Sequence, residues 1–205
     1  MERQKMDKSV VKKLASRLKL VIVGDGCVGK TSLLYAFGAN TFLENHHEPT
    51  VFENYVTSIM VNKKEVELNL CDTAGQEDLD RLRPLSYSEA DVILICFSVS
   101  DTTSFLNVAN KWRPETQHYR PHAPVILVAT KKDLRVHDGT RPFLERYGQA
   151  ALQTDEGCTM AMRIRADAYI ECSSKTFEGV HSVFQIAANL GQKFHKKNST
   201  SCTLQ

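Results

Sequence analysis

Gly24-Asp25-Gly26-Cys27-Val28-Gly29-Lys30-Thr31 spells G-x-x-x-x-G-K-[ST], directly after an apolar run at residues 18–23 and directly before a helix-forming stretch at 32–37. That order, strand, tight loop and helix, is what the pattern needs in order to hold a polyphosphate. Backbone N–H groups of the loop and of the helix start at Ser32 converge on phosphate oxygens, and the Lys30 ammonium neutralises the β and γ charges. The Thr31 hydroxyl can ligate Mg²⁺. Glycine at 24, 26 and 29 lets the backbone come that close. A glycine-rich turn would match by accident in roughly one chain per hundred of this length at average Gly usage, so we read the loop as a nucleotide site. The loop alone leaves ATP and GTP both open, and with them a small-molecule kinase or an ATPase.

The remaining pattern fits a sheet around that loop. Apolar runs at 92–97 and 125–129 suit parallel strands buried on both faces. Val66, Leu68 and Leu70 instead alternate with Glu65, Glu67 and Asn69, as in a strand with one wetter face. Asn62-Lys63-Lys64 can turn that strand back on residues 55–61, giving a hairpin toward one edge. Val180, Val183, Phe184, Ala187 and Leu190 form a helical stripe. A second helix is predicted over 102–112, perturbed by Pro114. Alternating strands and helices predict a doubly wound α/β domain with ligands at the carboxyl ends of its strands.

At 205 residues the chain suits one domain plus tails, and it contains no apolar run of the length needed to cross a bilayer. Its first twenty residues carry scattered charge and do not read as a secretory leader. Six cysteines without a C-x-x-C pair suggest neither a disulfide framework nor a zinc site. Residues 1–20 hold seven Lys/Arg against two Asp/Glu, and 191–205 hold three against none, so within a net charge of +2 the body is −6. An acidic body with basic ends does not suit nucleic acid and does suit an anionic membrane surface.

Thr130-Lys131-Lys132-Asp133, following the run at 125–129, matches the T/N-K-x-D guanine motif, and here the chain resembles the Ras superfamily of small GTPases. The resemblance implies that Asp133 accepts hydrogen bonds from guanine N1 and N2, which adenine does not offer, with Lys131 along the base. Glu171-Cys172-Ser173-Ser174-Lys175 resembles the loop whose backbone N–H meets guanine O6, with Ser174 where alanine is usual. Asp72-Thr73-Ala74-Gly75-Gln76 matches D-T-A-G-Q, which implies that Asp72 holds Mg²⁺ through water and that Gly75 donates to the γ-phosphate. By the same match Gln76 is the catalytic residue that orients the attacking water. Phe42 stands where the family packs an aromatic on the base.

His47, Glu48, Pro49, Thr50, Val51, Phe52, Glu53, Asn54 and Tyr55 resemble the effector segment, with Thr50 a second Mg²⁺ ligand that senses the γ-phosphate. Residues 78–87 and 111–115, and an extra segment at about 137–153, are similar to the Rho branch. That implies an α/β Ras-like P-loop domain over 18–194. Its sheet is mostly parallel and six-stranded, with one antiparallel edge strand, helices on both faces and a Rho-type insert helix. A basic arm at 1–17 and a tail at 195–205 flank it. The chain departs from the pattern at His46-His47-Glu48, where the first switch is one residue longer, and at Cys71 and Leu79, where partner-gripping aromatics are usual.

Cys202-Thr203-Leu204-Gln205 fits C-a-a-X, with Gln favouring a farnesyl group. Lys193, Lys196 and Lys197 add a weak second membrane signal. Val10, Leu14 and Leu18 could form an interfacial helix in the arm, and a disordered tail is the other reading. The resemblance thus implies a switch that cycles between GTP and GDP with Mg²⁺ and hydrolyses GTP alone at on the order of 10⁻⁴ per second. Exchange factors, GAPs, effectors and a GDP-dissociation inhibitor are the implied partners, and the cytoplasmic face of the cell membrane, with a cytosolic pool, the implied place. Two rivals stand beside it: a GTP-locked recruiting module, and a P-loop kinase using ATP.

Overall fold

The computed structural model describes residues 16–42, 52–73, 81, 83–135 and 150–201. The loop at 24–29 is suspended from the middle of a sheet. Its feeding strand, β1 (Ser16–Val23), pairs in parallel with β3 (Lys64–Thr73) on one side and β4 (Val92–Ser98) on the other. β5 (Val125–Thr130) and β6 (Ala168–Glu171) continue the parallel sheet, and β2 (Phe52–Val61) closes the far edge antiparallel to β3. The strand order is β2-β3-β1-β4-β5-β6.

Every residue of β4 and β5 is buried, as the continuous apolar runs require. Successive side chains divide between the two faces. Leu18, Leu20 and Ile22 join Val92, Leu94 and Ile126 in one core, while Val21 and Val23 join Ile93, Ile95 and Leu127 in the other. Leu18 therefore cannot belong to an interfacial helix with Val10 and Leu14: it is a fully buried strand residue paired with Leu68. The first core is covered by α1 (Lys30–Gly38) and by α6 (Val180–Ser201), where Phe37 stacks on Phe184 with centroids 3.9 Å apart. The predicted stripe on α6 is buried at Val180, Val183, Phe184 and Ala187 and half-buried at Leu190. α6 runs to Ser201, beyond residue 194, and His195 Nδ1 lies 3.1 Å from Asp91 Oδ1.

The hairpin forms as its alternation predicts. Val66, Leu68 and Leu70 are buried while Glu65, Glu67 and Asn69 are partly exposed, and Val61 pairs with Lys64. Asn62 and Lys63 both take left-handed φ values, 49° and 62°, as tight hairpin turns matched to strand twist require.

The helix expected over 102–112 differs from its prediction, because it does not stop before Pro114. After the short α2 (Pro84–Tyr87), α3 (Thr102–Asn107) is capped by Asp101 Oδ1, which accepts from the N–H groups of Thr103 and Ser104. A π-turn follows over Val108–Trp112, and α4 (Arg113–Tyr119) carries on. The Arg113 N–H donates to the carbonyl five residues back, Val108. Proline interrupts a regular helix by lacking an N–H and by striking the carbonyl four residues earlier. The wide turn just ahead of it puts Pro114 in the first turn of a fresh α-segment, where no N–H is needed.

The second core is closed by this helix and by α5 (Thr154–Arg163), whose start is fixed by a reciprocal capping box between Gln153 and Glu156. The insert expected at about 137–153 lies outside the described residues up to 149. Among the described residues no helix is long and apolar enough to cross a membrane.

Candidate functional site

The phosphate loop leaves the carboxyl end of β1 and enters α1. Gly24 has φ 144°, and a Cβ there would lie 2.3 Å from the Cys96 carbonyl oxygen, so only glycine fits. Gly29, at φ 98°, turns the chain into the helix. Gly26 is exposed with nothing within 4 Å of a Cβ position. Val28 is buried beneath the loop, and Cys27 is exposed.

Lys30 is buried to 6% exposure, and its Nζ donates to Gly24 O at 2.8 Å and Asp25 O at 2.7 Å, bracing the loop from inside. Burial pushes this ammonium below its ordinary pKa, against the attraction of Asp72. The Thr31 hydroxyl donates to Asp72 Oδ2 at 2.6 Å, and Thr73 Oγ1 donates to Ile22 O at 2.7 Å, fixing the end of β3 to β1. Thr31 and Asp72 therefore present a hydroxyl and a carboxylate side by side. Both are hard oxygen donors, and one carboxylate with few protein ligands is the donor set that suits Mg²⁺.

The T-K-x-D segment and the loop at 172–175 lie at the ends of β5 and β6. The Thr130 hydroxyl sits between Val28 O at 2.5 Å and Phe97 O at 2.8 Å. Lys131, in the left-handed region at φ 55°, extends its Nζ to Cys27 O at 2.7 Å. Two side chains of the T-K-x-D segment thus hold the phosphate loop directly. Ser173, fully buried, donates to Asp133 Oδ1 at 2.5 Å and accepts from the Thr176 N–H at 3.1 Å. Ser174 is buried and Lys175 exposed beside it. The two loops are also joined by the Lys132 N–H donating to Cys172 O at 3.1 Å. Burial drives the Cys172 thiol up to about 12, so it stays protonated.

Sequence reasoning missed three groups here. Ser173 was read only for its backbone, yet its side chain orients Asp133. Arg135 and Glu171 form an ion pair across the two loops. The Asp25 carboxylate is held by Asn107 and Trp112. Forty or more residues separate the partners in the first and third pairs, so spacing carried no signal for them.

Of the predicted second group, Ser32 lies half-buried in the first turn of α1 and Phe42 half-buried just past its end. Phe52, Glu53, Asn54 and Tyr55 fall in β2, and Tyr55 meets Tyr35 edge-on at 5.4 Å. His46, His47, Glu48, Pro49, Thr50, Val51, Gly75, Gln76 and Cys202 lie outside the described residues.

The Ras family model matches residues 19–192. "Rho-related GTP-binding protein RhoB" from Homo sapiens is 54% identical over 186 residues, covering 90% of this chain and 94% of that protein. The Mus musculus and Rattus norvegicus proteins of the same name match equally.

Proposed function

The chain belongs to the Ras family as a Rho-type small GTPase, and on that premise we propose that it is a membrane-associated switch whose GTP form recruits effectors and whose turnover is completed by a GAP. The observation that carries the reading is the joining of the two half-sites: Lys131 and Thr130 of the guanine segment bond to the carbonyls of Cys27 and Val28 in the phosphate loop. One rigid unit then spans base and phosphates.

Each described residue has a task that its position supports, and Thr50, Gly75 and Gln76 take theirs from the motif match. Ser173 occupies one side of Asp133, leaving that carboxylate turned to accept from guanine N1 and N2. Lys131 lies along the base. The backbone N–H groups from Gly26 through Ser32 face the phosphates, and Lys30 moves its donors from the loop carbonyls toward the β and γ oxygens. Thr31 and Thr50 would hold Mg²⁺ directly and Asp72 through water; bound there, the ion neutralises charge between the β- and γ-phosphates. Gly75 donates to the γ-phosphate and Gln76 orients the attacking water. No arginine of the chain is assigned to the transition state, so a partner's arginine entering over Gly26 supplies that charge.

The basic ends and Cys202 support attachment to the cytoplasmic face of a membrane through a prenyl group, with extraction by a GDP-dissociation inhibitor and control of the actin cytoskeleton as the downstream role. Single-turnover hydrolysis of γ-labelled GTP, with and without a Rho-type GAP domain, tests the cycle. Slow loss of label that the GAP accelerates supports it. Stable GTP under both conditions would instead indicate a GTP-locked recruiting module.

A further inference from the structure

Asp25 is the one charged side chain of the phosphate loop before Lys30, and both of its carboxylate oxygens are taken. Asn107 Nδ2 donates to Oδ2 at 2.6 Å and Trp112 Nε1 donates to Oδ1 at 2.6 Å. The main-chain carbonyl of the same residue accepts from Lys30. Asp25 is therefore the point where the loop is fastened from outside as well as from inside.

Asn107 and Trp112 are five residues apart. On a regular α-helix that spacing is about 500° of rotation, which leaves the two side chains roughly 140° apart around the axis. A turn closed by an i to i+5 bond brings such a pair back to one face, and the π-turn lies between them at Val108–Trp112. The irregular turn lets two donors meet one carboxylate. The clamp is also braced from behind. Trp112 is fully buried, the Arg83 guanidinium lies 4.7 Å from its ring centroid, and Glu115 accepts from Arg83 Nε at 2.6 Å and from Tyr87 OH at 2.7 Å.

We infer that Asn107 and Trp112, set on one face by the π-turn, are positioning residues for the nucleotide: through Asp25 they hold the phosphate loop in its binding shape and so set how long the nucleotide stays. Both reach the site only through the Asp25 carboxylate. The inference rests on the nucleotide-switch reading, and its test separates the two.

The test is the release rate of a fluorescent N-methylanthraniloyl-GDP from the full chain in Mg²⁺. Asn107→Asp places a carboxylate against Asp25 and speeds release about tenfold, the effect of roughly one pKa unit of like-charge conflict. Asp25→Asn alone speeds release less, because Asn107 can turn its amide over to meet the new one. In the Asp25→Asn/Asn107→Asp double variant, the new amide donates to the new carboxylate while its oxygen still accepts from Trp112, and release returns toward the wild-type rate. A merely structural surface pair would give additive losses, not this rescue. Wild-type release from Asn107→Asp, or release from the double variant at least as fast as from Asn107→Asp, overturns the inference. Should Asn107→Asp not fold, Asn107→Ala carries the test, with release about tenfold faster expected from one lost hydrogen bond to a carboxylate and an unchanged rate overturning it. A wild-type chain that fails to retain the labelled GDP at all would sink the nucleotide reading instead.

Discussion

Arg135 grips Glu171 with two guanidinium nitrogens, Nη1 to Oε2 at 2.5 Å and Nη2 to Oε1 at 2.8 Å. Its Nε donates to Leu152 O at 2.6 Å, and Tyr169 OH donates to Glu171 Oε1 at 2.6 Å. Arg135 stands two residues after Asp133, and Glu171 two residues before Ser173, so the pair ties together the two loops that face the base. It also brings together the chain on either side of residues 136–149.

That pair gives the stability a pH signature. Burial pushes the Glu171 carboxyl up, but hydrogen bonds from Arg135 and Tyr169 outweigh it and leave the group at about 2, below its ordinary value of 4.5. The unfolded chain then binds more protons between those values, so the contribution is full above about pH 4.5 and is lost as pH falls through about 2. Urea unfolding of Glu171→Gln should show a flatter acid limb than wild type and a loss of roughly 2 kcal/mol at neutral pH, from a paired guanidinium left without its carboxylate. An unchanged acid limb would show that Glu171 is not the group responsible.

Gly157 on α5 faces the same cluster. A Cβ there would lie 2.0 Å from the Tyr169 hydroxyl oxygen and 2.2 Å from its Cζ. Gly157→Ala should push the phenol off Glu171 and cost about 1–3 kcal/mol, as overpacking of a fixed site does. Thermal melting of Gly157→Ala alone and in a Tyr169→Phe background measures this; because the ring stays in place, the phenylalanine should relieve only part of the loss.

Ser173→Ala removes the donor that orients Asp133 and, with it, the acceptor of the Thr176 N–H. We expect guanine nucleotide affinity to fall about ten- to a hundredfold, the scale of one lost hydrogen bond to a charged group, while Asp133→Asn abolishes the preference for GTP over ATP. Isothermal titration with both nucleotides reads the two effects, and retained discrimination in Asp133→Asn would remove the base-reading role from that residue.

Gln76→Leu should leave nucleotide affinity near wild type and cut GAP-stimulated hydrolysis by a factor of at least about 100, since what is lost is the positioning of water in the transition state. Stopped-flow phosphate release is the measurement. GAP stimulation that survived the change would locate the catalytic group elsewhere.

On the proposed prenyl attachment, Cys202→Ser should move the protein from the membrane fraction to the soluble fraction of lysed cells, because a few lysines at about 1 kcal/mol each hold a chain only weakly without a lipid. Cosedimentation with anionic vesicles of a variant lacking residues 1–16 separates the contribution of the basic arm.

Much of this was legible in the sequence because the signals were local. Unbroken apolar runs at 92–97 and 125–129 suit strands buried on both faces, and the alternation from Glu65 to Leu70 marks a strand with one wetter face. The phosphate loop and T-K-x-D segment carry their chemistry in consecutive residues. β6 was harder to read, since its four residues are only half-buried and leave no apolar run. The π-turn was invisible for a physical reason: Pro114 reads as a break, and two donors five residues apart read as pointing in different directions. Ser173 and Asp133 meet across 40 residues of chain, a distance that only the sheet order closes.

Trp112 is the sole tryptophan of the chain. Its indole N–H is bonded to the phosphate loop, its ring faces Arg83 and Lys111, and water does not reach it. All the ultraviolet emission that an unlabelled sample gives on excitation of tryptophan therefore originates at one address, a few bonds from where the phosphates would sit. The molecule carries its own optical gauge, and any exchange or hydrolysis step that shifts Asp25 can be followed by its colour and brightness without attaching a dye.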